Sequence, residues 1–535
     1  MFVESFSDEE TEILERFFTN TALPVFCLVN LPEVTKAALF ARYSRTHKSL
    51  RRLFLDEFWD GETQQVAEEA QAGTSRSSKL FETVLDGYGD DSVAQLGGAH
   101  IACEGVSNIL TKVIERPRLG SYLEQSTRYI NFADKLDGRY RYVTPIGMHT
   151  DSSVLPDQYT RHMDQVFAGY AQMVDAATEF LRGKHIVPRE DSFESGELAA
   201  LERAIRADAL DACRGLLPAG TTSNLGMFAS GQTYEALVVR MLSSDLSEAR
   251  HYGSMMLTEL RKVIPQFLKR VDLPDRGVRH GEYLRENRQA LKALAATMGE
   301  PKLGSTEREV KLVRFSSIGE SSVAAAALYP HSNLSATEIG NRMTDKMIDA
   351  TFAAAVGDRS HNRRLKPGRS FEYSDYEFDV CSDYGAFRDL QRHRLLTMDW
   401  QPLSPDLGYE VPELIIDADL EDEYRTQMDE TYQIFEVIAE AYGVEEARYV
   451  VPLGFNIRYS IKANARALVH MLELRTGKQG HSTYRKICQE MFFQVRDVAG
   501  HRRIAAAMSH VQTDDVDMAR LESEQKLEAD KNSAV

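Results

Sequence analysis

The sequence from Arg116 to Tyr129 reads R-P-R-L-G-S-Y-L-E-Q-S-T-R-Y and contains three arginines, two serines and one glutamate. Pro117 restrains the backbone between the first two arginines, and Gly120 permits a turn after them. Two guanidinium groups held in this way can converge on a phosphate or a carboxylate. The stretch therefore predicts an anion-binding loop that begins with Arg116 and Arg118.

Glu124, Ser126 and Arg128 recur at every second position in the same stretch. In an extended segment this spacing places all three side chains on one face. A carboxylate, a hydroxyl and a guanidinium on one face can hold the polar edge of a small anionic ligand. The spacing also fits a surface loop whose charges pair with one another, in which the Ser126 hydroxyl bonds to the backbone and is not a nucleophile.

The stretch resembles the signature of the flavin-dependent thymidylate synthase family, R-H-R-x-x-S-x-x-E-x-S-x-R-Y. Every fixed position matches except one, because Pro117 stands where the family has a histidine. Upstream, Gly105-Val-Ser resembles the helix that leads into the signature, and Ser92-Val resembles the turn before that helix. We therefore expect a long helix from Ser92 to Ile114.

The composition argues against several other classes of protein. With 535 residues the chain is too long for one ordinary core, and 63 basic against 81 acidic residues argue against a nucleic-acid scaffold. No apolar run approaches the roughly 18 residues that span a membrane, and the acidic N-terminus does not resemble a signal peptide. Five scattered cysteines predict reduced thiols in a cytoplasmic protein, and no residue spacing predicts a metal site.

A second informative block begins at Arg214, in R-G-L-L-P-A-G-T-T-S-N, and continues into a helix that carries Arg240. The two arginines fall where the family's nucleotide-contacting arginines fall. The family's Asn-Ala-Arg is absent, because Ser230-Gly-Gln stands in its neighbourhood. Before this block, residues 155–183 and 197–213 show helical periodicity.

The pattern begins again after residue 309. The runs V-K-L-V-R-F-S and S-S-V-A-A-A-A-L-Y resemble the first strand and helix, and a later alternating run leads into Arg392-His393-Arg394. This triplet restores the histidine missing at Pro117, but the residues after it lack the Glu, Ser and Arg of the nucleotide loop. His393, a lone histidine between arginines, also fits a structural role.

The closing block of this second copy runs from Arg448 to Arg475 and resembles the family's closing block over its full length. Asn464, Arg466, His470 and Arg475 occupy the positions of the family's ligand-binding residues, although the family commonly has Asn where His470 stands. On a helix, Arg466 and His470 lie at i and i+4 and face the same side. The surrounding A-L-V-H-M-L is typical of a core, so His470 also fits a structural role.

These observations indicate an internal duplication of the family's α/β (α+β) fold, helix-rich with a mixed sheet in each copy. We predict an N-terminal helix within 1–23, copy 1 with the nucleotide loop over 24–272, a partly helical linker over 273–309, copy 2 with the flavin clamp over 310–512, and a disordered acidic tail over 513–535. Copy 1 keeps Glu124, Ser126 and Arg128, and copy 2 keeps the Asn-Ala-Arg. Family members are homotetramers whose active sites form where subunits meet, so the resemblance implies that both copies contribute to one site and that the double-length chain is a homodimer.

The resemblance implies a thymidylate synthase that methylates dUMP to dTMP, with methylenetetrahydrofolate and NADPH as co-substrates and reduced FAD as the redox agent. It places dUMP on Glu124, Ser126, Arg128, Arg448 and Arg475, with Arg128 and Arg475 as the catalytic residues. It places FAD on Arg392, His393, Arg394, Asn464, Arg466 and His470. A second or vestigial anion site, or a structural arginine cluster, would use Ser92, Arg116, Arg118, Arg214 and Arg240.

Two other functions fit the same residues. One is a related flavoenzyme that acts on another pyrimidine nucleotide, and the other is a nucleotide-binding protein without catalysis. A basic patch at 361–369, H-N-R-R-L-K-P-G-R, lines a phosphate or folate entrance in the enzymatic interpretation and is an ordinary solvated loop in the alternative one.

Overall fold

The computed structural model describes residues 4–59, 95, 97–128, 130–187, 193, 196–299, 308–514, 521 and 524–525. The predicted site residue Ser92 lies outside the described residues, as does most of the predicted tail. Within the described part, the chain forms two compact units. Unit 1 comprises Met1–Ala171, Leu217–Lys302 and Gln427–Pro452, and unit 2 comprises Gln172–Leu216, Leu303–Thr426 and Leu453–Val535.

Unit 1 contains a four-stranded sheet with the order β1-β2-β4-β3. Its strands are β1 (Val25–Leu28), β2 (Gly98–Ser107), β3 (Gly120–Glu124) and β4 (Thr222–Ser230), and each neighbouring pair is antiparallel. The helices with residues in this unit are Asp8–Glu15, Glu33–Tyr43, Leu50–Glu57, Asn108–Ile114, Leu155–His185, Gly231–Leu242, Ser247–Val263, Arg279–Ala296, Glu421–Tyr442 and Val444–Ala447.

Unit 2 repeats this arrangement with the strand order β5-β6-β8-β7. Its strands are β5 (Glu309–Phe315), β6 (Asp375–Asp383), β7 (Thr397–Trp400) and β8 (Asn456–Asn464), again antiparallel in each pair. The helices with residues in this unit are Leu155–His185, Glu197–Cys213, Gly319–Leu328, Ala336–Arg342, Asp345–Val356, Tyr384–Gln391, Glu413–Asp417, Glu421–Tyr442, Ala465–Arg475, Ser482–Phe493 and Arg502–Ala507.

The shared strand order confirms the predicted duplication of an α/β fold. The sheets are antiparallel, whereas we expected mixed sheets. In both units the second and fourth strands are the central pair, and each of them runs directly into a helix. The predicted helices at 155–183 and 197–213 are confirmed as Leu155–His185 and Glu197–Cys213.

The predicted helix from Ser92 to Ile114 is wrong over its described first part. Residues Gly98–Ser107 form β2, which pairs with β1 on one side and β4 on the other, and the helix begins only at Asn108. Gly105 has a φ of 66°, a left-handed conformation that glycine adopts without strain, and the pairing with β4 shifts register there. Strand pairing on both edges therefore outweighs the local helical pattern.

Apolar side chains of the central strands form the middle of each core. In unit 1, Ile101 of β2 and Leu225 of β4 are fully buried, and in unit 2 Phe378 of β6 and Ile461 of β8 are equally buried. Such burial contributes roughly 1.5–3 kcal/mol for each large side chain. The central strands are thereby fixed, and with them the helices that follow.

Each unit draws part of its core from the other half of the sequence. In unit 1, the backbone N–H groups of Ala219 and Gly220 donate to the carbonyls of Val451 and Tyr449 at 2.8 Å each. In unit 2, the N–H of Gly454 donates to the carbonyl of Gly215 at 2.8 Å. Neither half of the sequence therefore contains all the residues of one unit.

Separate expression of residues 1–272 and 273–535 tests this exchange of segments. We expect each half alone to aggregate or to show no cooperative unfolding, because its core lacks a buried segment. Coexpression of the two halves should restore a folded complex with the thermal melting curve of the intact chain. Circular dichroism and size-exclusion chromatography measure both outcomes, and a folded, monomeric half-chain would contradict the prediction.

Glu248 occupies a buried position in the helix Ser247–Val263 of unit 1. Its Oε1 accepts from the N–H of Ser107 at 2.8 Å, and its Oε2 accepts from the hydroxyls of Ser107 at 2.6 Å and Tyr449 at 2.8 Å. Burial raises the pKa of Glu248 to about 7, although these hydrogen bonds act in the opposite direction. The folded state thus binds a proton more tightly than the unfolded state does.

The Glu248→Gln variant should lose the part of the pH dependence of folding stability that comes from the Glu248 carboxyl. The folded pKa is raised, so wild-type protein should lose stability relative to the variant as the pH rises from about 5 to 8. The pKa of Glu248 is about 7 in the folded state in place of 4.5, so the free energy of unfolding of the wild type should fall relative to that of the variant by on the order of 3 kcal/mol over this range. Urea denaturation midpoints of both proteins at several pH values measure it, and parallel pH profiles would exclude a titrating Glu248.

Candidate functional site

The predicted nucleotide loop of unit 1 begins at the end of β3. Glu124 is the last residue of that strand, and its buried carboxylate lies 3.1 Å from Nζ of Lys112, itself buried. Ser126 and Arg128 follow after the strand, and the Ser126 hydroxyl accepts from the N–H of Arg128 at 3.2 Å. The three residues therefore do not lie on one extended strand, because β3 ends at Glu124 and Arg128 lies in a turn.

Arginines gather in the same unit. Arg116 and Arg118 follow the helix Asn108–Ile114, and Arg240 lies close enough to Arg116 to be affected by its charge. Burial lowers the pKa of Arg240, and the charge of Arg116 lowers it further. Counted from the helix-capping residues Ser230 and Asn464, Arg240 lies one position earlier in its helix than Arg475 does.

Arg448 also lies in unit 1, although it comes from the second copy of the sequence. Its guanidinium forms an ion pair with Glu445 one turn earlier. The Nε atom of Arg448 is buried and has no hydrogen-bond partner among the described residues. A donor of this kind is available for an anionic oxygen.

Unit 2 brings together His393, His470 and Arg475 from two segments. Arg475 ends the helix Ala465–Arg475, and its Nε donates to Nε2 of His393 at 2.8 Å. His393 must therefore be neutral and carry its proton on Nδ1. The rings of His393 and His470 lie 5.7 Å apart at 70°, and the Arg475 guanidinium lies 5.3 Å from the ring centre of Tyr484.

The charges around the two histidines are mostly positive. Burial is the main cause that lowers the pKa of His393 well below its usual value, and Arg475 and His470 lower it further. Burial also lowers the pKa of His470, with added effects from Lys366 and Arg363. Both imidazoles are neutral near pH 7 as a result.

The basic patch at 361–369 supplies these cations. Its residues are exposed except for residue 367, and Lys366 and Arg363 are the two charges that lower the pKa of His470 most. The sequence alone did not connect this loop with the histidines, since more than a hundred residues separate Arg363 from His470. Its dense positive charge was the available indication.

Asn464 and Arg466 hold the start of the same helix. The Asn464 side chain caps the helix by accepting from the N–H of Ala467 at 2.9 Å. Arg466 donates from Nε to the carbonyl of Pro367 at 3.0 Å and from Nη1 to Glu372 at 3.0 Å. In this structure the two residues anchor the helix terminus and the basic loop.

The remaining predicted residues fall into both units. Arg392 lies 3.9 Å from Asp389, and Arg214 donates to Asp389 at 3.2 Å in the buried interior of unit 2. All six predicted FAD residues lie in unit 2 together with Arg475 and Arg214. The remaining predicted residues that the structure describes lie in unit 1. They are Glu124, Ser126, Arg128 and Arg448 of the predicted dUMP site, and Arg116, Arg118 and Arg240 of the predicted second or vestigial anion site.

Comparison with known proteins identifies the family. A family model described as thymidylate synthase complementing protein matches residues 33–266 and 311–500. The chain belongs to this family. The two matched segments correspond to the two copies of the sheet, which confirms a double-length member.

Full-length relatives share the double length. A UPF0159 protein from Chlamydia muridarum is 37% identical over 98% of this chain and 99% of its own. A UPF0159 protein from Chlamydia pneumoniae is 36% identical over 98% of both chains, and one from Thermoplasma acidophilum is 29% identical over 92% of this chain and 98% of its own. Relatives that match this chain along nearly its whole length therefore occur in other organisms.

A solved structure of lower similarity is the UMP/dUMP methylase PolB from Streptomyces cacaoi bound with 5-Br dUMP. It is 18% identical with a TM-score of 0.30, and the match covers 38% of this chain and 96% of PolB. A structural match at this TM-score does not indicate the function of this chain. Among the described residues, no helix has the length and apolarity to cross a bilayer, and no three His, Cys, Asp or Glu side chains are grouped as metal ligands.

The protonation state of His393 provides a test of the unit 2 site. We expect its ring to remain the neutral Nδ1–H tautomer at pH 6.5 and well below it, because burial and Arg475 both oppose protonation. The Arg475→Gln variant should raise the pKa of His393 but leave it below 6.5, since burial is the larger cause. Imidazole nitrogen NMR of labelled protein measures this, with the signal assigned by its loss in His393→Gln.

The ring signal of the exposed His331, followed in the same titration, is the internal control. A His393 that titrates together with His331 would show that the Arg475 hydrogen bond does not persist in solution.

Proposed function

We propose that this chain is a flavin-dependent thymidylate synthase-like enzyme, which methylates dUMP to dTMP with methylenetetrahydrofolate and reduced FAD. The single observation that carries the proposal is the pairing of Arg475 with a neutral His393 among cations of the basic loop. Family membership supports the proposal, because the family is that of the thymidylate synthase complementing protein.

The residues of unit 2 fit the diphosphate of FAD electrostatically. The charges that act on His470 come from Lys366, Arg363 and Arg475, and all three are positive. An anionic group would relieve their mutual repulsion and would bind more tightly for that reason. When bound, reduced FAD supplies the reducing equivalents of the reaction, and NADPH replenishes them.

Individual residues of unit 2 would have distinct tasks in holding FAD. The exposed Arg392 and Arg394 offer charge on either side of His393. His393 and His470, both neutral, offer ring nitrogens without adding charge. Asn464 and Arg466 would act by fixing the helix terminus and the loop at Pro367 that carries the cations.

The nucleotide requires donors for its phosphate and for the pyrimidine carbonyl. In this proposal Arg448 offers a buried Nε without a protein partner, and Glu124, Ser126 and Arg128 form the loop that holds dUMP. Arg475 is oriented by His393 through a 2.8 Å hydrogen bond and stabilises negative charge that develops on the pyrimidine. A donor of this type contributes on the order of 3 kcal/mol, or about 100-fold in rate.

One departure from the family pattern favours a different substrate or no catalysis. Pro117 stands where copy 1 would carry the histidine of the signature, so only copy 2 has Arg-His-Arg. A related flavoenzyme acting on another pyrimidine nucleotide, or a nucleotide-binding protein without catalysis, would fit this divergence. We also propose that the active form is a homodimer, as the resemblance to homotetrameric synthases implies.

The absorption spectrum of the purified protein, with and without added FAD, is the first test. We expect bound flavin that NADPH reduces without oxygen and that reoxidises when dUMP and methylenetetrahydrofolate are added, with dTMP as product. The same assay with UMP separates the enzymatic alternative. A colourless protein that takes up no FAD but binds dUMP would favour the non-catalytic function.

Arg475→Gln should lower the rate of dTMP formation about 100-fold, because the charge-stabilising donor is lost. Arg314→Gln is the matched control, since Arg314 lies in β5, outside the predicted site residues and the basic loop, with its side chain 80% exposed. Equal rates in the two variants would exclude the proposed role of Arg475.

A further inference from the structure

Unit 2 contains a cavity of about 760 Å³ whose lining includes one predicted site residue, Arg214. Its walls come from the helix Glu197–Cys213, the segment around Glu410–Asp417, the end of β6, and Gly480, His481 and the first turn of the helix Ser482–Phe493. The cavity has the size of pockets that enclose small organic ligands, which range from about 300 to 1,000 Å³.

Four buried polar atoms of lining residues have no hydrogen-bond partner among the described residues. They are Nη2 of Arg214, Nε of Arg308, Oδ2 of Asp383 and the hydroxyl of Tyr424. Arg214 and Tyr424 are at least 97% buried as residues, with exposures of 3% and 0%. Buried polar groups in native proteins usually have partners, so these four atoms indicate a missing one.

Arg214 and Asp383 are each fixed by one atom of the side-chain end, which leaves the other atom for a ligand. Nη1 of Arg214 donates to Asp389 at 3.2 Å, which leaves Nη2 as a donor. Oδ1 of Asp383 accepts from the N–H of Ala386 at 2.8 Å, which leaves Oδ2 as an acceptor. The two side chains meet over Gly385, where an added Cβ would lie 3.0 Å from Oδ1 of Asp383 and 3.2 Å from Nη2 of Arg214.

An arginine donor beside a carboxylate acceptor complements a ring carbonyl next to a ring N–H. We propose that this cavity binds a planar heterocycle with such a lactam edge, as in an uncharged nucleoside or a pterin. The carbonyl accepts from Arg214, the ring N–H donates to Asp383, and the Tyr424 hydroxyl bonds to a further polar atom of the ligand.

The charges at the mouth argue against a phosphorylated ligand. Glu413 and Asp417 are exposed there, and the half-buried Asp208 and Asp211 also line the cavity. Leaving His481 aside, six acidic residues line the cavity against five basic ones, so the excess is one negative charge; the acids are Asp208, Asp211, Asp383, Glu410, Glu413 and Asp417, and the bases are Lys184, Arg214, Arg308, Arg485 and Lys486. A nucleotide would meet repulsion at this mouth that the corresponding nucleoside would not.

Calorimetric titration of the full-length protein tests the site, with uridine, guanosine and pterin as separate probes. We expect at least one probe to bind with a dissociation constant below about 1 mM. Its analogue with a methyl group on the lactam nitrogen should bind at least about tenfold more weakly, because it cannot donate to Asp383. Tighter binding of pterin than of both nucleosides would identify the ligand as a pterin. Tighter binding of either nucleoside than of pterin would identify it as a nucleoside.

Tyr424→Phe and Asp383→Asn should each weaken binding of that probe about tenfold. Asp383→Asn keeps the oxygen that caps the following helix, and Tyr424→Phe keeps the ring, so both variants should fold with unchanged circular dichroism. Tyr373→Phe is the matched control, because Tyr373 is 68% exposed and does not line the cavity. Equal affinity in Tyr424→Phe and Tyr373→Phe would overturn the proposal.

The inference is independent of the proposed enzymatic function. Arg475→Gln should leave binding of the probe unchanged. Loss of binding in that variant would show that the probe binds at the site of Arg475 and His393 and would overturn the separate cavity site. Absence of binding for all three probes, or equal binding of the methylated analogue, would also overturn it. A protein that binds the probe but neither FAD nor dUMP would refute the proposed function and leave this inference intact.

Discussion

A hydrogen bond between a side chain at the end of a central strand and the helix that follows fixes the geometry of both units. Ser107 and Ser230 accept from the N–H groups of Leu110 and Thr233 in unit 1. Asp383 and Asn464 accept from those of Ala386 and Ala467 in unit 2. Each cap satisfies an otherwise unpaired helix donor and typically stabilises the helix by about 1 kcal/mol.

These junctions decide where the functional arginines lie. The central strands are pinned by pairing on both edges, so a helix that starts at a capped strand end has little freedom in direction. The helix Ala465–Arg475 then places Arg475 at its last residue, within hydrogen-bond distance of His393. His393 itself follows the helix capped by Asp383.

The unit 2 site concentrates positive charge that the fold must hold in place. Arg363, Lys366 and Arg475 all act on His470, and neutral histidines separate the cations without adding charge. The repulsion is tolerated because Arg466 ties the basic loop at Pro367 and Glu372, and because most of the loop is exposed to screening water. An anionic ligand would complete such an arrangement, which is the physical basis for the proposed flavin site.

The sequence by itself determined the local elements and the residue types of the site. Resemblance of short motifs to the family's signature and closing block identified Arg392 to Arg394, Arg475 and the duplication, and helical periodicity predicted the helices Leu155–His185 and Glu197–Cys213, because these features depend on neighbouring residues. Only the tertiary structure decided that residues 98–107 form a strand, that residues 427–452 complete unit 1, and that the loop of Lys366 approaches His470. These outcomes depend on strand pairing and burial between segments far apart in the sequence, which no local pattern encodes.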